Sequence, residues 1–221
     1  MIKLHYLNNS RAQRLLWLLE ELNLEYELVT YERNKATMLA PPELRKIHPL
    51  GKSPVLEDDG RMIAESGAIV EYLLERHGDG ALRPEVGSDE HLQYRYWLHY
   101  AEGSAMFPLV LSLVFSEMVR QSPWIAKPVM RGIESTMRKQ MIDREVRNHA
   151  KHWENHLKSN TWFAGEQLTG ADIQMSFPLE AFVSRSGMEG DYPHVCEYVA
   201  RIHERDAYKR ALERGDDYLY A

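Results

Sequence analysis

An α/β domain followed by an all-helical one is the fold class that this sequence predicts. Strand-like and helix-like patterns alternate from residue 2 to residue 77. The stretch GDGALRPEVGS, Gly78 to Ser88, is rich in Gly and Pro and reads as a linker. Beyond it, the apolar residues recur at helical spacing throughout. The expected domains are residues 1–80 and residues 88–221.

Residues 2–6 alternate Ile, Lys, Leu, His and Tyr and predict a first strand. Asn8-Asn9-Ser10 is a turn and N-cap cluster. Leu15, Leu16, Leu18, Leu19 and Leu22 mark a helix from Arg11 to Leu22, which Asn23 can end because it tolerates the left-handed conformation. Tyr26-Glu27-Leu28-Val29 is the second strand. Strand, helix and strand in about 30 residues make a βαβ unit, hence a parallel pair. Residues 31–51 are polar and hold Pro41-Pro42, with a short helix expected near Glu43 to Ile47. Val55-Leu56, the turn Asp58-Asp59-Gly60 and Met62-Ile63-Ala64 predict a hairpin. Ile69, Val70, Leu73 and Leu74 then define an amphipathic helix, with Ser66 expected as its N-cap.

In the second domain, Asp89 to about Arg120 reads as one long helix bent at Pro108. Ser122-Pro123 stops it and starts a second, running to about Leu157. Thr169 and Asp172, three residues apart, form a capping box that opens a third helix. Two shorter helices are expected near Tyr192 to Arg205 and Ala207 to Arg214.

Composition bounds the function. Hydrophobic residues at 44% and charged residues at 27% describe an ordinary globular chain. The net charge of −6 argues against nucleic acid as the partner. The apolar run Leu109 to Phe115 falls short of the ~20 residues of a membrane span. Met1 leads into a strand with no signal-peptide pattern, so a cytoplasmic location is expected. Cys196 is the only cysteine, which excludes an internal disulfide and a cysteine-zinc cluster. No metal site is expected.

The stretch His48 to His77, HPLGKSPVLEDDGRMIAESGAIVEYLLERH, carries the chemistry. A helix N-terminus offers unpaired amides and a partial positive charge to a carboxylate. Glu65 beside it suits an ammonium, so Glu65-Ser66 could read both charges of an α-amino acid. Ser53 precedes Pro54, and a cis bond there would leave the Ser53 amide and carbonyl free for another peptide backbone. Lys52 could meet a second carboxylate at the far end.

G-K-S-P, the hairpin and A-E-S-G-A-I together resemble the cytosolic glutathione S-transferases, bacterial and theta/delta-like or nu-like. The match extends over the whole chain through T-G-A-D-I, which is similar to the family's helical-domain capping motif. The resemblance implies a thioredoxin-like N-terminal domain plus an all-α C-terminal domain. It implies glutathione as co-substrate, with Glu65 and Ser66 at the γ-glutamyl end, Ser53 and cis-Pro54 at the cysteinyl unit and Lys52 near the glycyl end. It also implies a two-fold homodimer and a hydrophobic electrophile as second substrate, bound near Ser104, Phe107 and Leu111.

Glutathione's useful atom is its thiol, which reacts as thiolate. With a free pKa near 8.5, about 3% is ionised at pH 7. One hydroxyl donor, at roughly 1.5–3 kcal/mol for a charged hydrogen bond, would lower that pKa by about one to two units. In this fold the first loop faces the cis-proline, and Ser10 is its hydroxyl, matching the catalytic serine of theta- and delta-like members. Asn9 is the alternative, since other bacterial members use Thr or Asn one position earlier. Tyr6 is expected in the core. Without a cysteine in this loop, mixed-disulfide chemistry of the omega and beta type is not expected.

His149, His152 and His156 share one helix face and read as solvated rather than metal-binding. Tyr94, Tyr96, Trp97 and Tyr100 read as core and interface, and Cys196 as a small buried side chain. Tyr94, Trp97, Met106, Leu113, Phe115 and Met118 point several ways from the first long helix, which supports the dimer. The alternatives are a glutathione-dependent peroxidase or isomerase, and a non-catalytic interaction protein on the same fold.

Overall fold

A computed structural model describes every residue except 36, 188, 216, 217 and 221. The first unit holds β1 (Ile2–Leu7), α1 (Ala12–Glu21), β2 (Tyr26–Tyr31), α2 (Leu44–Ile47), β3 (Val55–Asp58), β4 (Arg61–Ala64) and α3 (Ser66–His77). The strands form one sheet in the order β2-β1-β3-β4, with β1 and β2 parallel and the other two pairings antiparallel. The β-α-β-α-β-β-α order read from the pattern is therefore the observed one. Asn23 takes a positive φ of 50° after α1, and Asp59-Gly60, both with positive φ, turn the β3–β4 hairpin.

The second unit holds α4 (Asp89–Tyr100), α5 (Met106–Gln121), α6 (Lys127–Met137), α7 (Asp143–Leu157), α8 (Gly170–Arg185), α9 (Pro193–His203) and α10 (Asp206–Arg214). Each expected long helix is divided by a π-helical turn, Ala101–Ala105 in one and Arg138–Ile142 in the other. In the first, the irregularity lies just ahead of Pro108. Pro108 has no N–H, so the carbonyl four residues earlier loses its α-helical donor and the turn widens. The second long helix starts at Lys127, later than the Pro123 expected, because Pro123 to Ala126 form a turn. By length and composition the span Asp89–Gln121 could cross a bilayer, contrary to the reading of a short apolar run. Here it packs within the fold against α8.

The capping box is as expected. Thr169 Oγ1 accepts from the Ala171 amide, and Asp172 Oδ2 accepts from the Thr169 amide and hydroxyl at 2.8 and 3.0 Å. Its other oxygen accepts from the Phe163 amide and the Tyr198 hydroxyl, so this buried carboxylate ties α8 to α9 and to the loop before it. The core runs across both units through Trp17, Leu73, Tyr94, Trp97, Phe163 and Phe182. Gly170 permits the closest approach: a Cβ there would sit 2.6 Å from Leu74 and 2.8 Å from Val70 on α3.

Three expectations need correction. Tyr94, Trp97 and Met106 are buried within the chain, so they are not interface surface. Leu113 and Met118 are exposed as expected, and Phe107, Val110 and Val114 join them on α5, continuing to Trp124 and Ile125, which are 82% and 72% exposed. Of the three histidines read as solvated, His152 is exposed as expected, while His149 and His156 are half-buried. All three pack their rings against Trp97, Tyr100, Trp153 and Phe163, with His152 stacked on Trp97 at a centroid distance of 5.0 Å. Cys196 is half-buried rather than buried.

Candidate active site

The sheet register brings the site together. In the β1–β3 pair His5 lies opposite Val55, and in the β3–β4 pair Val55 lies opposite Ala64. The segments leaving these ends are therefore neighbours: Leu7 to Ser10, Ser53-Pro54, and Glu65-Ser66. Ser53 clamps the first two, since its hydroxyl donates to the His5 carbonyl at 2.8 Å and accepts from the Leu7 amide at 3.0 Å. The Ser53–Pro54 bond is cis. Neither the amide nor the carbonyl of Ser53 has a hydrogen-bond partner among the described residues. An extended peptide could pair there as one more strand.

Ser66 is not the N-cap of α3. It is the first helical residue, and Glu65 occupies the cap position at φ 70°, ψ 117° with no side-chain capping bond. A non-glycine residue at such a φ is strained, a state that collects at functional sites. The Ser66 hydroxyl instead accepts from Arg14 Nη2 at 2.9 Å and from Gln174 Nε2 at 3.2 Å. Glu65 is exposed beside it, and Lys52 is exposed ahead of Ser53.

Arg14 is the residue that sequence reasoning passed over. Its side chain is fully buried on α1; it donates to the Gln174 carbonyl and forms an ion pair with Glu102 from the π-turn, which also receives both bonds of Arg11 Nε. Burial pushes the Glu102 carboxyl up, but Arg14 and Arg11 outweigh it and hold it below the usual range. A charged side chain amid the leucines of α1 was the available signal. Its partners come from positions 66, 102 and 174, which no local pattern links.

Ser10 is buried, with its oxygen accepting from the Ala12 amide at 3.2 Å. The hydroxyl hydrogen remains available to donate. Asn9 has a positive φ of 49°, and its side-chain oxygen accepts from the Leu219 amide at 2.8 Å, so the C-terminal segment reaches the first loop. Tyr6 is buried as expected and donates to Gln13. Of the second-substrate candidates, Phe107 is exposed, Ser104 half-buried, and Leu111 partly buried against the core.

A cleft of about 490 Å³ between α1 and α9–α10 is the rival cavity, lined by Glu20, Glu21, Arg205 and Arg210. Four of its charges are paired with one another, Arg205 with Glu21 and Arg210 with Glu20. It lies at the opposite end of α1 from Ser10. Among the described residues no group of three or more His, Cys, Asp and Glu is placed to hold a metal.

Residues 1–75 match the family model for the glutathione S-transferase N-terminal domain, and residues 125–206 that for its C-terminal domain. The chain is 37% identical to glutathione S-transferase 1 of Saccharomyces cerevisiae, over 97% of this chain and 95% of the relative. It is 35% identical to glutathione S-transferase 3 of Schizosaccharomyces pombe, over 98% and 89%. The crystal structure of a glutathione S-transferase from Actinobacillus pleuropneumoniae superposes with a TM-score of 0.81 at 36% identity, covering 99% of this chain and 94% of that one. With its two-unit architecture and these matches across nearly its whole length, the chain belongs to the glutathione S-transferase family.

Proposed function

We propose that this chain is a glutathione transferase that ionises the glutathione thiol at Ser10 and directs the thiolate at a hydrophobic electrophile. The observation that carries the reading is the unpaired Ser53 backbone beside the Glu65–Ser66 helix start. The γ-glutamyl carboxylate meets the Ser66 hydroxyl and the first amides of α3, where the helix carries partial positive charge. Glu65 meets the ammonium, Ser53 pairs with the cysteinyl backbone, and Lys52 meets the glycyl carboxylate. This places the thiol against the first loop, where the Ser10 O–H donates to the thiolate and Asn9 borders it.

The first domain spans residues 1–80 and the second residues 88–221, and the second contributes Ser104, Phe107 and Leu111 to the electrophile pocket. The exposed apolar face of α5 supports a homodimer, because monomers seldom leave so contiguous an apolar patch in water. A reduced thiol co-substrate suits a cytoplasmic location. The test is retention on immobilised glutathione, followed by assays with a panel of aryl halides, peroxides and isomerisable substrates. Retention with thioether formation supports the reading. Failure to bind glutathione overturns it, and peroxide reduction alone would reassign the electrophile.

A further inference from the structure

The C-terminal segment closes on the first loop, and its anchoring is specific. The Tyr218 hydroxyl donates to the buried Glu180 carboxylate at 2.5 Å, and its ring packs with Met106 and Phe177. The Leu219 amide is held by Asn9. Tyr220 stands edge-on to Phe177 with centroids 5.5 Å apart, and Arg185 lies 4.8 Å over its ring.

Charge gathers at this place. Tyr220 lies within electrostatic reach of three cations, Arg185, Arg11 and Arg33, and of one anion, Glu180. Arg11 also stands 5.7 Å over Phe177, and Arg14 at the same distance. The carboxylates here are occupied: Glu102 serves both Arg11 and Arg14, and Glu180 accepts from Tyr208, Tyr218 and His203. Arg33 spends its side-chain bonds on the carbonyls of Asn8, Asn9 and Met38, which leaves its charge unneutralised. Neither Arg33 nor Arg185 has a carboxylate at ion-pair distance among the described residues; Glu117, the anion within longer electrostatic reach of Arg185, is paired with Arg120. A cationic rim on a chain of net charge −6 is a local feature.

We propose that Arg33 and Arg185, flanking Tyr220 at the mouth of the first loop, form an anion-recognising subsite, so that the preferred electrophile carries an acidic group such as a carboxylate or sulfonate. The inference rests on the glutathione-transferase reading and names the second substrate of that site. The half-buried Tyr220 ring, backed by the buried Phe177, takes the apolar body of the electrophile while the guanidiniums meet its acidic end. With an aryl halide, the thiol proton has already passed to water, the thiolate sulfur bonds to the ring carbon, and halide leaves with the electron pair.

The test compares a chlorodinitrobenzoate with its methyl ester, each corrected for its uncatalysed rate with glutathione. The acid is expected to exceed the ester in kcat/KM by about tenfold or more, the scale of a charged hydrogen bond. That preference should shrink as salt rises from low to physiological strength. Arg185→Gln, at an exposed site, and Arg33→Gln should each cut the ratio severalfold. Equal handling of acid and ester by the parent protein overturns the proposal. So does an Arg33→Gln protein with a raised glutathione KM and an unchanged ratio, which would assign Arg33 to the glycyl end. Failure to bind immobilised glutathione, with neither compound turned over, takes down the transferase reading itself and the subsite with it.

Discussion

Arg14 Nη2 donates to the Ser66 hydroxyl at 2.9 Å across 52 positions of sequence. The guanidinium is on the helix that follows the Ser10 loop, and the hydroxyl is on the first residue of the helix proposed to bind the γ-glutamyl end. One buried contact thus holds both ends of the proposed site in register. Glu102 makes it affordable, since an unpaired buried charge costs several kcal/mol.

Replacing Glu102 by Gln should therefore destabilise the protein by about 2–3 kcal/mol, below the full cost of a broken buried pair because its carboxylate keeps some water contact. Urea unfolding measures it. The double change Arg14→Met with Glu102→Leu should lose less than the sum of the two single changes. Strict additivity would mean that the two residues do not act as a pair.

The variant Ser10→Ala should raise the pKa of bound glutathione by about one to two units and slow turnover roughly 10–100-fold at neutral pH, with affinity nearly unchanged. The thiolate absorbance followed through a pH titration reads the pKa directly. Superimposable parent and variant curves would move the role to Asn9 or to the loop amides.

At the γ-glutamyl end, Glu65→Gln should weaken glutathione binding by about 1–3 kcal/mol, the range of a lost charged hydrogen bond. Titration calorimetry is the measurement. Unchanged affinity would remove Glu65 from the site.

In solution at micromolar concentration the protein should sediment at about twice 25.8 kDa. A species of 25.8 kDa would show that the exposed face of α5 is not covered by a second copy.

Acid should act first on the α4–α7 seam. Burial pushes the pKa values of His149, His152 and His156 down, against Glu145, which raises that of His149. The neutral ring is thus favoured in the folded state, and the unfolded chain binds protons more readily. The seam's contribution to stability should be flat above about pH 7 and fall as the pH drops below about 6.5, the unfolded value. Buried Asp172 opposes that fall, because its pKa is pushed up to about 6 and its protonation favours the folded state. Glu102 and Glu154, held below the usual carboxylate range, add a second loss only below about pH 4.5. The double change His149→Phe with His156→Phe should flatten the upper step in a melting-temperature profile. An unaltered step would place it elsewhere.

Local pattern and turn chemistry determined much of this protein. The alternation of residues 2–6, the Asp59-Gly60 turn, the Thr169–Asp172 box and the Gly- and Pro-rich linker act over a few residues, so they stand in the sequence. The same holds for Ser53-Pro54 and Glu65-Ser66, which lie within one short stretch. Tertiary structure decided what long-range burial controls. Ser66 became a partner of Arg14 and Gln174 instead of a cap because α1 and α8 bring donors to it. Tyr94 and Trp97 went inward rather than to an interface, since helical spacing marks apolar faces without saying what covers them. The tail contact of Leu219 with Asn9 joins positions 210 residues apart, and only chain closure creates it.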